Sequence, residues 1–364
     1  GLPPPLAAQT TADDPRVSYA KFTRHTLVEG RLVRDNLIAT GSGGKFTRPS
    51  SEFMGMVEPP GTDGAKHVAE AGRYHLFVSG VCPWASSVRC ARHLMGLQSI
   101  VTMDVADGQS GRGWAHINGT SCPPWAGQER DGPFFLHEVY QASDPLGTCR
   151  ITMPVLWDKH LGCIVSNDSW SILKMFCTSF ASLAATPRDL YPAALAPQIE
   201  ERHSHIYRNL LNAVYIAGIG ILKQNEESRA AAETNIAVTL DELEASLQGQ
   251  RFLMGAELTA VDLRLCMTLL RFDACYHYGF GIRTAKTGGV LCDATSGAPS
   301  AYPSLAGYVR EVYGLVAPEV DWAAFRQYYR WAPGVAPEQP LPDVEMVKAS
   351  AEQPHGREGV GAAS

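Results

Sequence analysis

Residues 73–96 read RYHLFVSGVCPWASSVRCARHLMG, and the fold is decided by what happens in the middle of that stretch. Tyr74, Leu76 and Val78 alternate with His75, Phe77 and Ser79, the period of a strand, and the alternation breaks at Gly80. After Pro83, the residues Val88, Ala91, Leu94 and Met95 recur at helical spacing, so Cys82 falls at the turn where a strand becomes a helix. Pro83 suits the first helical position, whose N–H has no intrahelical partner in any case. A thiol at a helix start faces unpaired N–H groups and the positive end of the helix dipole, and both favour thiolate. Cys82 is therefore a candidate nucleophile; the competing reading is one more buried cysteine among the chain's nine.

Cys-Pro-Trp-Ala departs from the redox pattern Cys-x-x-Cys, because Ala85 occupies the place of a resolving thiol and Cys90 lies further along the helix. A disulfide formed by Cys82 has to be made with a small thiol from solution and resolved by another. That is glutathione chemistry.

A chain of 364 residues suggests two domains, or one large one with arms. Charged residues at 19% and hydrophobic residues at 45% describe an ordinary globular protein. A net charge of −6 without long runs argues against nucleic acid or an anionic membrane as the main partner. No hydrophobic run approaches the roughly 20 residues of a membrane span. The cysteines show no repeated metal-ligand or disulfide spacing and read as reduced thiols in a reducing compartment, so the sequons at Asn118 and Asn167 carry no weight and a cytoplasmic location is expected. The chain starts at Gly1 rather than methionine, which reads as a processed or trimmed product. A plastid or mitochondrial address, since removed, stays open as the alternative, although residues 1–20 are Pro- and Ala-rich rather than Arg-rich.

Composition divides the chain into an arm (1–57), an α/β unit (58–185), an all-helical unit (186–332) and a Pro-, Gly- and charge-rich tail read as disordered (333–364). Residues 1–40 read as a loosely ordered approach; Phe46, Arg48, Ser51 and Phe53 then suit either an extended docked arm or an unanchored tail. Ile100, Val101 and Val105 suit a second strand that completes a βαβ unit, and residues 107–148 form a long irregular excursion. From Cys149 the pattern is strand, turn, strand, helix, with Asp158 to Gly162 as the hairpin connection and a cis Met153-Pro154 bond at the strand entry. Asn167, Asp168 and Ser169 stand before the next helix, where capping groups and an anion site coincide, and either role suits them. Beyond Thr186 the β patterns vanish. Helices are expected over Ile199 to Leu211 and on towards Ile221, and over Glu226 to Leu247. Another follows a Thr259–Asp262 capping box; its apolar positions run nearly all round, marking a buried spine. Residues 284–300 read as a surface loop, and two further helices follow Tyr302-Pro303 and span WAAFRQYYRW.

An α/β unit with a helix-start cysteine, a Met-Pro strand entry and an acidic-Ser helix start, followed by a helical unit, resembles the glutathione transferase superfamily. The implied fold is α/β plus all-α: a thioredoxin-like N-terminal domain and a C-terminal helical bundle. The runs RYHLFVSGVCPWAS, GRGWAH, RITMPVLWDKHLGCIVSNDS, NAVYIAG, LTAVDLRL, RFDACYHY and YPSLAGYVREVYG are similar, in order, to the glutathionyl-hydroquinone reductases, the xi class of that superfamily. The resemblance runs from about Gly41 to Pro333.

The resemblance implies that Cys82 is the nucleophile and that Trp114, Arg150, Ile151, Thr152 and Met153 hold glutathione, the Met153 backbone pairing with its cysteinyl part. It gives Asp168 and Ser169 to the γ-glutamyl end, and makes Tyr215 the proton-transferring tyrosine. Tyr276 and Tyr329, or Tyr328 in an alternate register, become thiolate-stabilising tyrosines; from the residues alone, all these tyrosines equally suit helix-core filling. The implied activity is glutathione-dependent reduction of glutathionyl-hydroquinones through a Cys82–glutathione mixed disulfide, with glutathione as co-substrate and no metal. The implied assembly is a homodimer. Glutathione conjugation, general thiol transfer or a binding scaffold are the competing readings. Four features depart from the family: Asp168 replaces a glutamate, Met54 stands where an arginine is common, the stretch from Thr284 to Ala301 is longer than usual, and residues 106–130 match only in part.

Overall fold

Arg24–Val28 (β1) and Arg31–Asp35 (β2) form a hairpin whose turn residues, Glu29 and Gly30, both have positive φ (49° and 72°). Positive φ at both central positions gives the turn whose twist matches two antiparallel strands. Gly30 also has no room for a side chain, since a Cβ there would stand 1.8 Å from the Pro145 carbonyl oxygen. This hairpin corrects the expectation of a loosely ordered approach over 1–40: Leu27 is fully buried, and β1 pairs on its other edge with Cys149–Arg150. The computed structural model describes residues 24–35, 50–106, 108–110, 113–116, 134–223, 225–282, 289–294, 296–329 and 344–361. Phe46 and Arg48 of the expected arm lie outside them. Phe53 is docked: its ring meets Tyr140 edge-on at 5.6 Å, and its backbone exchanges hydrogen bonds with Asn167.

Tyr74–Val78 (β3), the helix Pro83–Leu94 (α1) and Val101–Val105 (β4) make the expected βαβ unit, with β3 and β4 parallel. The excursion expected over 107–148 is more regular than its composition suggested. Gly108–Ser110 (β5), Gly113–His116 (β6) and Phe134–Phe135 (β7) form a small antiparallel sheet, and Leu136–Ser143 (α2) is helical. The Glu138 carboxylate accepts the Phe135 N–H at 2.7 Å, satisfying one of the donors a helix start leaves open.

The strand run expected from Cys149 is split between two sheets. Cys149–Arg150 (β8) joins β1, whereas Val155–Asp158 (β9) and Cys163–Ser166 (β10) form the expected hairpin. The Met153-Pro154 bond before β9 is cis, as expected. The main sheet has the order β10-β9-β3-β4, so β3 is interior and all five of its residues are buried. Ser169–Cys177 (α3) packs beside α1 on this sheet. The result is the expected thioredoxin-like arrangement. At the end of β9, Asp158 is fully buried and accepts from Arg73, His67 and two backbone N–H groups; burial pushes its carboxyl up, but these donors outweigh it and hold it below its usual range.

The remaining helices are Ala196–Ile206 (α4), Ala213–Lys223 (α5), Glu226–Gly249 (α6), Ala260–Leu269 (α7), Pro303–Val316 (α8), Trp322–Tyr329 (α9) and Val344–Ala351 (α10). Every residue of α7 is buried, as the spine expectation required. Its capping box is complete: the Asp262 carboxylate accepts from the Thr259 N–H and hydroxyl, the Leu253 N–H and the Tyr308 hydroxyl, all at 2.8–2.9 Å.

Two expectations fail in this half. The stretch 284–300 is not wholly a surface loop: residues 283–288 lie outside the described ones, but Val290, Leu291 and Cys292 are buried. The Asp273 carboxylate accepts all three of their backbone N–H groups, and the Ser300 and Ser350 hydroxyls donate to the Val290 and Leu291 carbonyls, so side chains hold a Gly- and Thr-rich segment inside. The tail expected to be disordered carries α10, whose Val344, Val347 and Ala351 lie on one buried face. Beyond it, the buried Arg357 guanidinium donates to the carbonyls of Leu247, Ser304, Gln250 and Arg251 at 2.9–3.0 Å. Composition averaged over 333–364 hid that anchor.

Candidate active site

Cys82 is the N-cap of α1, with extended backbone (φ −81°, ψ 114°) and Pro83 behind it. Its thiol is half-buried and faces the Met153 carbonyl oxygen at 3.8 Å, a long contact for this weak donor. The other described cysteines are in poorer settings for a nucleophile. Burial pushes the Cys90 thiol up to about 12, Cys149 and Cys292 to about 11, and Cys163, Cys177, Cys266 and Cys275 upward as well. Those groups stay protonated at neutral pH. Cys82 has the helix-start environment that favours thiolate.

Met153 is held opposite Cys82 by a residue that the sequence reading missed. The fully buried Tyr140 of α2 donates its hydroxyl to the Thr152 carbonyl at 2.9 Å and accepts the Thr152 N–H at 3.2 Å. Asn167 adds donors to the Tyr140 hydroxyl and the Thr152 hydroxyl at 3.0 and 3.3 Å. The Ile151 N–H is taken by the His25 carbonyl at 3.0 Å. Both backbone groups of Thr152 are thus occupied within the protein, and the neighbouring Met153 carbonyl is the one turned to the thiol.

Asp168 and Ser169 occupy the start of α3 as expected. Asp168 caps it, accepting the Ser171 N–H at 2.8 Å. The Ser169 hydroxyl accepts from Arg264 at 2.8 Å, and the same buried guanidinium donates to the Ser87 hydroxyl and the Trp84 carbonyl at 3.2 and 3.4 Å while lying 4.6 Å from the centre of the Trp84 ring. Arg264 therefore ties the starts of α1 and α3 together, a role hidden inside the apolar run LRLCMTLL. A charged residue in a helix buried all round has to find partners, and that was the available signal.

The tyrosines come from two widened helical turns. A π-helical turn over Tyr207–Leu211 precedes α5, which carries Tyr215, and a π-helical segment over Phe272–Gly279 carries Tyr276. Such turns shift the helix face by a residue and recur at functional sites. The Tyr215 and Tyr276 hydroxyls are 3.1 Å apart; Tyr276 is fully buried and Tyr215 is half-buried. α5 reaches this close only because residue 218 is glycine, where a Cβ would stand 2.5 Å from the Phe280 ring. Trp84, the second residue of α1, lies 6.2 Å from the Tyr215 ring and 5.5 Å from Tyr207. A chain of contacts through Trp84 and Arg264 thus links Tyr215, Tyr276 and Ser169 to the start of α1, where Cys82 faces Met153. Trp114 is half-buried on β6, Arg150 is half-buried on β8, and the side chains of Tyr328 and Tyr329, at the end of α9, lie outside the described residues.

The aromatic row continues from Tyr207 to His203, whose ring stacks on Trp170 at 3.9 Å. Burial, with help from Arg264, pushes the His203 imidazole down to about 3, and its Nε2 has no hydrogen-bond partner among the described residues. An unfolded histidine takes its proton near pH 6.5 or so, whereas the folded one resists until far lower, so this stabilisation is complete above that pH and is lost as pH falls. Denaturant unfolding of the wild type and His203→Phe between about pH 7 and 4 should show a shallower loss of stability in the variant; parallel losses would refute the assignment.

Residues 226–311 match the family described as glutathione S-transferase, C-terminal domain. The chain is 34% identical over 317 residues to glutathionyl-hydroquinone reductase PcpF of Sphingobium chlorophenolicum, covering 84% of this chain and 94% of that protein. It is 36% identical over 297 residues to glutathionyl-hydroquinone reductase YqjG of Escherichia coli, covering 79% and 85%. The glutathione-bound structure of YqjG superposes with a TM-score of 0.68 at 32% identity, covering 84% of this chain and 96% of that one.

Proposed function

Because the chain belongs to the glutathionyl-hydroquinone reductases, the xi class of the glutathione transferases, we propose that its glutathione-dependent reduction runs through Cys82. The observation that carries this reading is a half-buried thiol at the start of α1, facing the Met153 carbonyl at 3.8 Å and flanked through Trp84 by the Tyr215–Tyr276 hydroxyl pair. The Cys82 thiolate attacks the sulfur of a glutathionyl-hydroquinone. A sulfur–sulfur bond forms as the aryl carbon–sulfur bond breaks; its electron pair goes to the ring carbon, and the Tyr215 hydroxyl delivers the proton there. Hydroquinone leaves. A second glutathione thiolate attacks the Cys82–glutathione disulfide, releasing oxidised glutathione and restoring the Cys82 thiolate. One glutathionyl-hydroquinone and one glutathione thus give one hydroquinone and one oxidised glutathione.

In this reading the Met153 backbone pairs with the cysteinyl part of glutathione, while Ile151, whose N–H is bonded to the His25 carbonyl, and Thr152, both of whose backbone groups are bonded to Tyr140, hold Met153 in place. Asp168 meets the γ-glutamyl ammonium, and Ser169, backed by Arg264 at the start of α3, meets the adjoining carboxylate. Arg150 takes the second carboxylate and Trp114 closes the side of the site. Tyr276 orients Tyr215, and Tyr329 joins Tyr276 in stabilising thiolate. Apolar rings with polar tips suit a hydroquinone. The reading extends to a homodimer in a reducing cytoplasm, the latter supported by eight free cysteines among the described residues. No described helix is long and apolar enough to cross a membrane.

Steady-state assays separate this reading from conjugation on the same fold. Glutathionyl-menadiol and glutathione should give menadiol and oxidised glutathione in equal amounts. Strong conjugation of a chloro-nitroarene that survives in Cys82→Ser, with glutathionyl-menadiol left unreacted, would favour the transferase instead.

A further inference from the structure

The carbonyls just before Cys82 are held from the helical half of the molecule. Arg271, between α7 and the π-helical segment of Tyr276, is fully buried. It donates to the Gly80 carbonyl at 2.7 Å, the Val81 carbonyl at 3.2 Å, the Ser86 hydroxyl at 2.9 Å and the Met267 carbonyl. Its guanidinium also lies 3.9 Å from the centre of the Phe325 ring on α9, the helix that carries Tyr329. One side chain therefore joins the Cys82 turn, the Tyr276 segment and α9.

The partners are as informative as their number. All four hydrogen-bond acceptors are neutral, so among the described residues no carboxylate is bonded to this permanently charged group. Burying a cation against neutral acceptors alone is costly, and the cost falls when a negative charge develops nearby. Gly80 and Val81 precede Cys82 directly, and Ser86 lies one turn beyond it. We propose that Arg271 is a positioning residue for Cys82: it fixes the turn through the two carbonyls and supplies the buried positive charge that the Cys82 thiolate answers.

Other charged groups face the same turn. Arg264 of α7 acts in the same sense from the Trp84 side. Asp321, at the start of α9, lies against Gly80, where a Cβ would be 2.8 Å from its Oδ2, and opposes; Asp168 caps α3, and Asp273, two residues beyond Arg271, is taken up by three backbone N–H groups. Along α1, Arg89 is paired with Glu319, and His93 stands 3.4 Å from the same carboxylate. The Tyr215 and Tyr276 hydroxyls complete the set. Arg271 is distinguished by its direct grip on the residues before the thiol.

The inference rests on Cys82 being the nucleophile, and its test separates the two claims. The rate of Cys82 alkylation by iodoacetamide, located by mass spectrometry, is followed against pH in the wild type, Arg271→Gln and Arg271→Lys, alongside kcat and KM for glutathionyl-menadiol. An unreactive Cys82 in the wild type would defeat the proposed function itself. With a reactive wild type, Arg271→Gln should raise the alkylation midpoint by about one pH unit, the lower end of what a nearby charge does, and slow alkylation at pH 7 by about tenfold. Arg271→Lys keeps the charge and should keep the midpoint, while its poorer grip on two carbonyls lowers kcat. A folded Arg271→Gln with an unmoved midpoint overturns the proposal. If that variant does not fold, a midpoint in Arg271→Lys raised by a full unit overturns it equally.

Discussion

Cys82→Ser is expected to lower reductase turnover at least about 10³-fold, because serine retains the shape of the turn but offers no thiolate to exchange with glutathione sulfur. The substitution should leave the fold intact, since serine is nearly isosteric with this half-buried cysteine and the 3.8 Å contact to the Met153 carbonyl is weak. Substrate binding should survive as well. Measured kcat/KM for glutathionyl-menadiol, with equilibrium binding of glutathione as the control, checks both halves of the expectation. A variant that keeps more than about a tenth of wild-type turnover would move the chemistry away from Cys82.

Tyr215→Phe should carry the next largest loss, about 10²-fold or more in the step that releases hydroquinone, the range of a positioned general acid. The half-reaction that regenerates the enzyme with glutathione needs no proton on carbon and should be little affected. Tyr276 is fully buried, and its hydroxyl lies 3.1 Å from that of Tyr215, so Tyr276→Phe should act through Tyr215 and cost less, about tenfold. Rapid-mix measurement of the two half-reactions separates these effects. An unchanged hydroquinone-release rate in Tyr215→Phe would leave the proton to some other donor.

The parts of this site that could be read from the chain are those fixed by neighbours in sequence. The strand-to-helix switch at Cys82, the hairpin Asp158 to Gly162, the cap at Asp168 and the Thr259–Asp262 box each rest on periodicity or spacing within a few residues, and the structure has them. What escaped lies in side chains that work across the fold. Tyr140 holds Thr152 from another element, Arg264 reaches Ser169, and Arg271 reaches Gly80. Nothing local marks a tyrosine as a clamp or an arginine as a bolt. Arg264 did carry one signal, since a charge in a helix that is apolar all round has to be buried and find partners. The misread segments failed for a related reason. Asp273 satisfies three backbone N–H groups of a Gly-rich stretch, and Arg357 anchors a Pro-rich one to carbonyls of the helical half; composition alone reports such stretches as loose.

The most direct measurement is a single turnover without free glutathione: the protein mixed with glutathionyl-menadiol, then intact mass and peptide mapping. The account predicts release of menadiol and a gain of one glutathione on Cys82, reversed when glutathione is added. Unreacted substrate with no adduct, or an adduct on any other cysteine, would contradict it.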